Sequence, residues 1–530
     1  MSGHGSSSGI HGAFGSIGEH DEAPRRSWTA RLLTLLAIIG PGLIVMVGDN
    51  DAGGVATYAQ AGQNYGLTLL WTLPLLIPVL VVNQEMVVRL GAVTGVGHAR
   101  LIFERFGRFW GAFSVGDLFI LNFLTIVTEF IGISLALGYF GVSDYISVPL
   151  AAVGLVAITA SGSFRRWERF MFVFVIVNIL IIPLVVLSHP HAGPVLHGFL
   201  TPGVKHGFNS TSVLLMIAIV GTTVAPWQLF FQQSNIIDKG ITTRWVNYER
   251  TDTVIGSFVV VIGASLLMVT MAFAFGHTPA AGAFSNATGA GGVAHNLTRY
   301  VGRAAGVIFA IILLNASIIG AAAVTLSTSY AFGDVFGVQH SLHRRVSEAK
   351  FFYASYTAMV IAAAGIVLIP RAPLGLITTS VQALAGVLLP SATVFLVLLC
   401  NDAAVLGPWV NRPWVNAVAT VVVSVLLVLS LVLMTTTVFP GIDVVVLFEV
   451  LAAALVVSLV VGGLLYARIL RARPPVTVVA GPRRDTWRMP PLALLERPEW
   501  SPGRKRAMLV LRLYLVASVV LLLVKAIQLG

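Results

Sequence analysis

The sequence predicts an all-α membrane protein that crosses a bilayer many times, and three observations carry that prediction. Charge is scarce: of 530 residues, 10% are charged and 56% hydrophobic. A soluble domain carries about 25% charged residues, so this chain cannot cover a water-facing surface of its size. The apolar residues form long blocks of Val, Ile, Leu, Ala and Phe at 148–158, 170–187, 254–275, 305–331, 415–434 and 444–467. Crossing hydrocarbon takes about 20 such residues. In lipid only helices or closed barrels satisfy the backbone, and runs this long without alternation are helices. The third observation is that the basic residues alternate between connecting segments.

Spans are placed near 33–62, 66–88, 112–140, 146–162, 170–188, 211–237, 253–275, 304–333, 352–369, 374–400, 414–436, 443–467 and 508–527. With the N-terminus in the cytoplasm, the inward segments hold Arg25, Arg26, Arg31, Arg89, Arg100, Arg105 and Arg108, then Arg165, Arg166, Arg169, Lys239, Arg244 and Arg250. They also hold Arg344, Arg345, Lys350 and eleven more basic residues from Arg468 to Arg512. The outward side receives Lys205, Arg299, Arg303, Arg371 and Lys525. Excess Lys and Arg on cytoplasmic loops sets orientation. The net charge of +11 is therefore topological and excludes a nucleic-acid partner; the expected location is the plasma membrane, with lipid as the surrounding partner. The single cysteine, Cys400, rules out an internal disulfide.

Residues 1–30 are expected as a disordered cytoplasmic tail, in which His4, His11 and His20 are spaced too loosely to favour metal binding. A transporter core follows at 31–400, as one repeat over about 31–190 and a second over about 208–400. Accessory helices occupy 401–467, an Arg- and Pro-rich cytoplasmic loop 468–507 is expected to lie along anionic headgroups, and a final transmembrane helix closes the chain at 508–530. Asn286 and Asn296 stand in N-x-S/T sequons of an outward loop.

The repeats are inferred from punctuation. The first span reads Gly40-Pro41-Gly42 and then Gly48-Asp49-Asn50-Asp51-Ala52-Gly53-Gly54; the sixth reads Gly221-Thr222-Thr223-Val224-Ala225-Pro226-Trp227-Gln228. Such residues at mid-membrane depth are costly unless unwound backbone lines a cavity. Paired interruptions in two halves point to a transporter's binding site between inverted repeats. Asp51 is the first candidate ligand, with Asp49 beside it. Carboxylate, unwound carbonyls and water form the ligand set of a hard divalent cation. Asp51 is equally suited to cap the second half-helix, and both roles can coexist. Gln382, in the tenth span, reads either as helix–helix glue or as a ligand. Glu129, deep in the third span, reads either as a proton relay or as a partner for a neighbouring helix. Asp117 and the loop residues His189, His191, His197 and His206 read as solvated.

At these positions the sequence resembles the NRAMP family of divalent metal-ion transporters. The likeness runs through Gly40-Pro41-Gly42, Asp51-Ala52-Gly53-Gly54, Gln60-Ala61-Gly62 and Leu69-Leu70-Trp71, then Glu129-Phe130, Thr222 to Trp227, and Gln382 with Pro390. It covers roughly 33–436 and implies the LeuT-type fold: two inverted five-helix repeats with discontinuous helices 1 and 6, working by alternating access, plus two to three accessory C-terminal helices. The departures are specific. The family's metal-binding Asp is Asp51, but its Asn partner is Gly54 and its Met is Ala225, while its two sixth-span histidines are Trp227 and Gln232. This pattern resembles the family's magnesium-transporting branch. Loss of a thioether relaxes preference for soft metals, and a roomier all-oxygen site suits Mg²⁺, which keeps several waters.

The expected metal site therefore comprises Asp51, Asp49, Gly54, Ala225, Gln228 and Gln382, with Glu129 as the candidate for proton coupling and Trp227 and Gln232 shaping or gating the site. The expected cargo is Mg²⁺ with Mn²⁺ second, as substrate rather than cofactor, and no catalytic residue is expected. The rival is an amino-acid permease of the same fold, disfavoured because a bare carboxylate at Asp51 repels a substrate carboxylate. A non-transporting sensor has no positive feature in its support. Oligomeric state is not legible.

Overall fold

Helix ends in this chain fall where proline, glycine and aspartate interrupt the apolar runs. The structure is a computed structural model, described for residues 9–19, 21, 23–284, 289–370, 374–439, 441–472, 484, 487–495, 505, 508–509 and 511–516. Ser27 caps α1 (Trp28–Ile38), its Oγ accepting from Ala30 N at 3.1 Å. Gly40 then turns the chain at φ 151°, and Pro41 opens α2 (Pro41–Gly48) with its axis bent by 53° from α1. After a gap at Asp49–Asp51 comes α3 (Ala52–Tyr65). The expected first span is thus three helices.

The first half continues with α4 (Leu76–Thr94), α5 (His98–Phe106), α6 (Arg108–Tyr139), α7 (Asp144–Thr159), α8 (Phe164–Val177), α9 (Ile181–Leu187) and α10 (Ala192–Leu200). The second half starts with another broken pair, α11 (Ser210–Thr223) and α12 (Pro226–Asp238), then α13 (Val246–Phe275), α14 (Gly289–Tyr300), α15 (Arg303–Phe336), α16 (Lys350–Val367) and α17 (Leu374–Cys400). The short α18 (Ala403–Leu406), then α19 (Pro413–Val438) and α20 (Val444–Ala472), follow. Among the described residues ten helical segments are long and apolar enough to cross a membrane, or eleven with α1 and α2 counted as one. The most extensive pairing is α6 with α15; α13 packs on both α2 and α3, and α11 on α17. The broken α11–α12 pair is central, with 89% of its apolar window buried, against 6% for α20. The exposed Val450, Val456 and Val460 of α20 suit contact with acyl chains.

Several expectations need correction. Residues 9–18 do not form a disordered tail: β1 (Gly9–His11) and β2 (Ser16–Gly18) pair antiparallel, with Ile10 opposite Ile17 and both buried. The hairpin docks on α8 through Ala13 N to Glu168 Oε2 at 2.5 Å, Arg169 Nε to Ala13 O at 3.0 Å, and the Phe14 ring 4.5 Å from Phe172. His4 and His20 lie outside the described residues. The stretch 487–495 also touches the protein: Trp487 covers Gly407 and Arg488 Nη1 donates to Thr243 Oγ1 at 3.0 Å. The supposed loops hold α5, α10 and α14, and Asn296 sits on α14; Asn286 is not among the described residues. The last expected span is described only in part, and helical where it is.

The α1–α2 joint is clamped by charge. Lys239 Nζ donates to Ile38 O (2.7 Å) and Ile39 O (3.0 Å), where α1 exposes unpaired carbonyls, and to Glu168 Oε1 (2.6 Å). Asp252 accepts from Gly40 N (3.0 Å), Gly42 N (2.8 Å) and Leu43 N (3.1 Å), the open amides of α2. A cation at a helix C-terminus and a carboxylate at an N-terminus both complement the helix dipole. Lys239 and Glu168 side chains are both 0% exposed, so removing one leaves the other buried and unpaired. Glu168→Ala is expected to destabilise the protein by about 3–5 kcal/mol, seen as a lower Tm in detergent. Glu168→Ala with Lys239→Met should recover part of that loss. An unchanged Tm for the single variant would show that the pair does not hold the joint.

Candidate metal site at two helix breaks

Proline lacks an N–H and is favoured at the first turn of a helix, so Pro226 restarts the sixth span one residue after Ala225, which holds extended backbone (φ −94°, ψ 146°). Asp51 restarts the first span, its Oδ1 accepting from Gly54 N at 2.7 Å. The two breaks meet. Tyr58 OH and Thr223 Oγ1 share a hydrogen bond of 2.7 Å between α3 and α11. A Cβ on Gly54 would stand 3.1 Å from both Asp49 O and Thr222 Oγ1. The tenth span closes the third side, since α17 packs on α11 with Gly386 N only 2.5 Å from where a Cβ on Gly221 would be. That approach sets the Gln382 amide directly over Gly53, in space a larger residue would occupy. Pro390 leaves Gly386 O without its intrahelical donor, and Ser430 Oγ supplies one from α19 at 3.1 Å.

Three carboxyl groups surround this point. Asp49 is fully buried, and the polar side chain facing it is the neutral Gln228 amide. Glu129 Oε2 accepts from Ala52 N at 3.1 Å, while its Oε1 has no partner. Glu129 and Asp51 lie side by side against Gly320, whose Cβ would be 2.6 Å from Glu129 Cδ and 3.0 Å from Asp51 Cβ. Among the described residues no lysine or arginine pairs with any of the three. Carboxylates in so dry a place need positive charge from a cation or a proton. Among the described residues no three His, Cys, Asp or Glu side chains form a ready-made cage. Backbone and amide oxygens would therefore have to complete a coordination shell around the aspartates.

The structure brings together Asp49, Asp51, Gly54, Glu129 and Gln382, and sets Ala225 three residues beyond Thr222. Gln228 lies beside Asp49; its Oε1 accepts from Gln84 Nε2 at 3.1 Å and its own Nε2 is unpartnered. Trp227 packs under the first break, its ring 3.4 Å from where a Cβ on Gly48 would be. Gln232, expected to shape or gate the site, faces α13, where it donates to Thr253 Oγ1 at 2.8 Å. Asp117 is half-buried rather than fully solvated, and Ser391 Oγ donates to it at 3.1 Å across α6 and α17. His197 lies in α10, with His191 as its N-cap, rather than in open loop. The sequence reading passed over Gln84 and Thr222. An amide in an apolar span was the same signal that singled out Gln382, and Thr222 stood inside the quoted motif.

Two unwound breaks that face each other inside a helical bundle, the first of them bearing two buried carboxylates, define a membrane transporter. The chain belongs to the family described as natural resistance-associated macrophage protein-like, which it matches over residues 42–436, and it is not an enzyme. It is 28% identical over 421 residues to the divalent metal cation transporter MntH of Brucella suis, covering 75% of this chain and 87% of the relative. MntH of Chromohalobacter salexigens is 30% identical over 269 residues, 48% of this chain and 59% of that one. The fold is similar to the crystal structure of the Eremococcus coleocola manganese transporter, at a TM-score of 0.63, 20% identity and coverage of 85% and 97% of the two chains. The LeuT-type, multi-pass architecture follows from these likenesses, and the amino-acid permease reading loses its ground.

Proposed function

We propose that this chain imports divalent metal cations by alternating access across the plasma membrane, its N-terminus cytoplasmic, with Mg²⁺ as main cargo and Mn²⁺ second. The observation that carries the reading is the first break itself: Asp49 and Asp51 are two buried carboxylates in one unwound turn, and among the described residues neither pairs with a lysine or arginine. Asp51 supplies the first charge, the Gln382 and Gln228 amides stand beside it at the breaks, and backbone carbonyls and water complete the shell. Ala225 brings no sulfur, so every donor is hard, which suits Mg²⁺. Mn²⁺ as principal cargo is the second reading, favoured by the likeness to the Eremococcus coleocola manganese transporter. Calorimetric titration of purified protein with Mg²⁺ and Mn²⁺ separates the two, and binding of neither would sink both.

Coupling follows from the same residues. Trp227 and Gln232 stand where titratable histidines would accept protons near neutral pH, and neither titrates there. Metal uptake into proteoliposomes is expected to leave internal pH unchanged. A pH dye responding in step with metal influx would contradict this and point to Glu129, in which case Glu129→Gln should abolish the signal.

A further inference from the structure

A threonine inside a helix ordinarily satisfies its hydroxyl by donating to the carbonyl four residues back. Thr223 does so, to Ile219 O at 2.6 Å, and so do Thr57, Thr325 and Thr393. Thr222, its neighbour in α11, does not. It is 2% exposed and its Oγ1 has no hydrogen-bond partner. That oxygen is turned toward α3, 3.1 Å from where a Cβ on Gly54 would be, and the Asp49 carbonyl oxygen lies at the same distance from that point. On its amide side Gly54 donates to Asp51 Oδ1 at 2.7 Å. A carboxylate, a carbonyl and a hydroxyl oxygen thus surround one residue that has no side chain of its own.

We propose that Thr222 is a selectivity determinant of the metal site: its Oγ1 serves as a hard oxygen donor, directly or through one water, to the divalent ion held at Asp51. The inference rests on the reading that the two breaks bind a divalent cation. A neutral hydroxyl adds no charge and holds water well, so it favours an ion that retains part of its hydration shell over a soft one.

The test is calorimetric titration of the full-length protein with MgCl₂, MnCl₂ and CdCl₂, comparing wild type with Thr222→Val, Thr222→Ser and Asp51→Ala. Valine keeps the shape and removes the hydroxyl; serine keeps the hydroxyl and removes a methyl. Thr222→Val should weaken Mg²⁺ binding about tenfold and leave Cd²⁺ unchanged, with Thr222→Ser within about threefold of wild type for Mg²⁺. Unchanged Mg²⁺ affinity in Thr222→Val overturns the proposal, and loss of all binding in Asp51→Ala would then leave the metal site itself standing. Equal losses for all three ions, or failure of serine to restore Mg²⁺ binding, would assign Thr222 a packing role and overturn it as well. A wild-type protein that binds none of the three ions removes the functional reading and this inference together.

Discussion

Asp51→Ala is expected to abolish divalent-ion binding and uptake while the protein stays folded. Its carboxylate is the charge that the break presents beside Gly54, and the other two carboxyls near it serve differently. Glu129 Oε2 is engaged with the Ala52 amide, and Asp49 stands next to Gln228. Losing Asp51 also removes the cap on α3, which costs about 1 kcal/mol and lowers Tm by a few degrees without unfolding the bundle. Asp51→Asn separates the two contributions, since its side-chain oxygen can still accept from Gly54 N. Asparagine should keep the Tm and lose the binding. The measurement is Mg²⁺ and Mn²⁺ influx into proteoliposomes alongside calorimetric titration. Wild-type influx with Asp51→Ala would remove Asp51 from the site and leave Asp49 as the remaining mid-membrane charge to examine.

The parts of this arrangement that were legible in the sequence are those where a residue is out of keeping with an apolar run. Asp49, Asp51, Pro226, Glu129 and Gln382 each stand out because placing them in lipid is expensive, and all five fall at or beside the two breaks. What was illegible depends on partners far apart in the chain. Lys239 meets Glu168 across 71 residues, and Asp252 reaches Gly40 across 212. The N-terminal hairpin was hidden because strands of three residues, each burying one isoleucine among Gly, Ser and His, are too short to show a period of two. The partner of Gln232 was hidden for a geometric reason. An alignment fixes its position along α12 but not which neighbour that face meets, and the face meets Thr253 of α13. Thr222 escaped notice because a threonine in a span usually satisfies itself, and only its missing bond marks it.

Rebuilding the family's usual ligands around Asp51 should exchange preference for hard ions for preference for soft ones, provided three residues change together. Ala225→Met restores a thioether at the second break, and Gly54→Asn restores the amide at the first. The structure shows why these two alone should fail. A Cβ added at Gly54 would stand 3.1 Å from Thr222 Oγ1 and from Asp49 O, and 3.4 Å from Tyr58 Cε2, which leaves the new amide no clear path to the ion. Adding Thr222→Ala removes one of the two close oxygens and gives the new side chain its room. The triple variant is expected to bind Cd²⁺ about tenfold more tightly than wild type, one added ligand being taken as about 1.4 kcal/mol, and to bind Mg²⁺ more weakly. Thr222→Ala alone should lose Mg²⁺ affinity without gaining Cd²⁺, which separates the missing hydroxyl from the added sulfur. The double variant should bind every ion more weakly because of crowding. Calorimetric titration of each variant, with Tm as the check on folding, reads all three expectations. Unchanged Cd²⁺ affinity in a folded triple variant would mean that residue 225 turns away from the ion, and the coordination shell would then have to be completed by α17 and water alone.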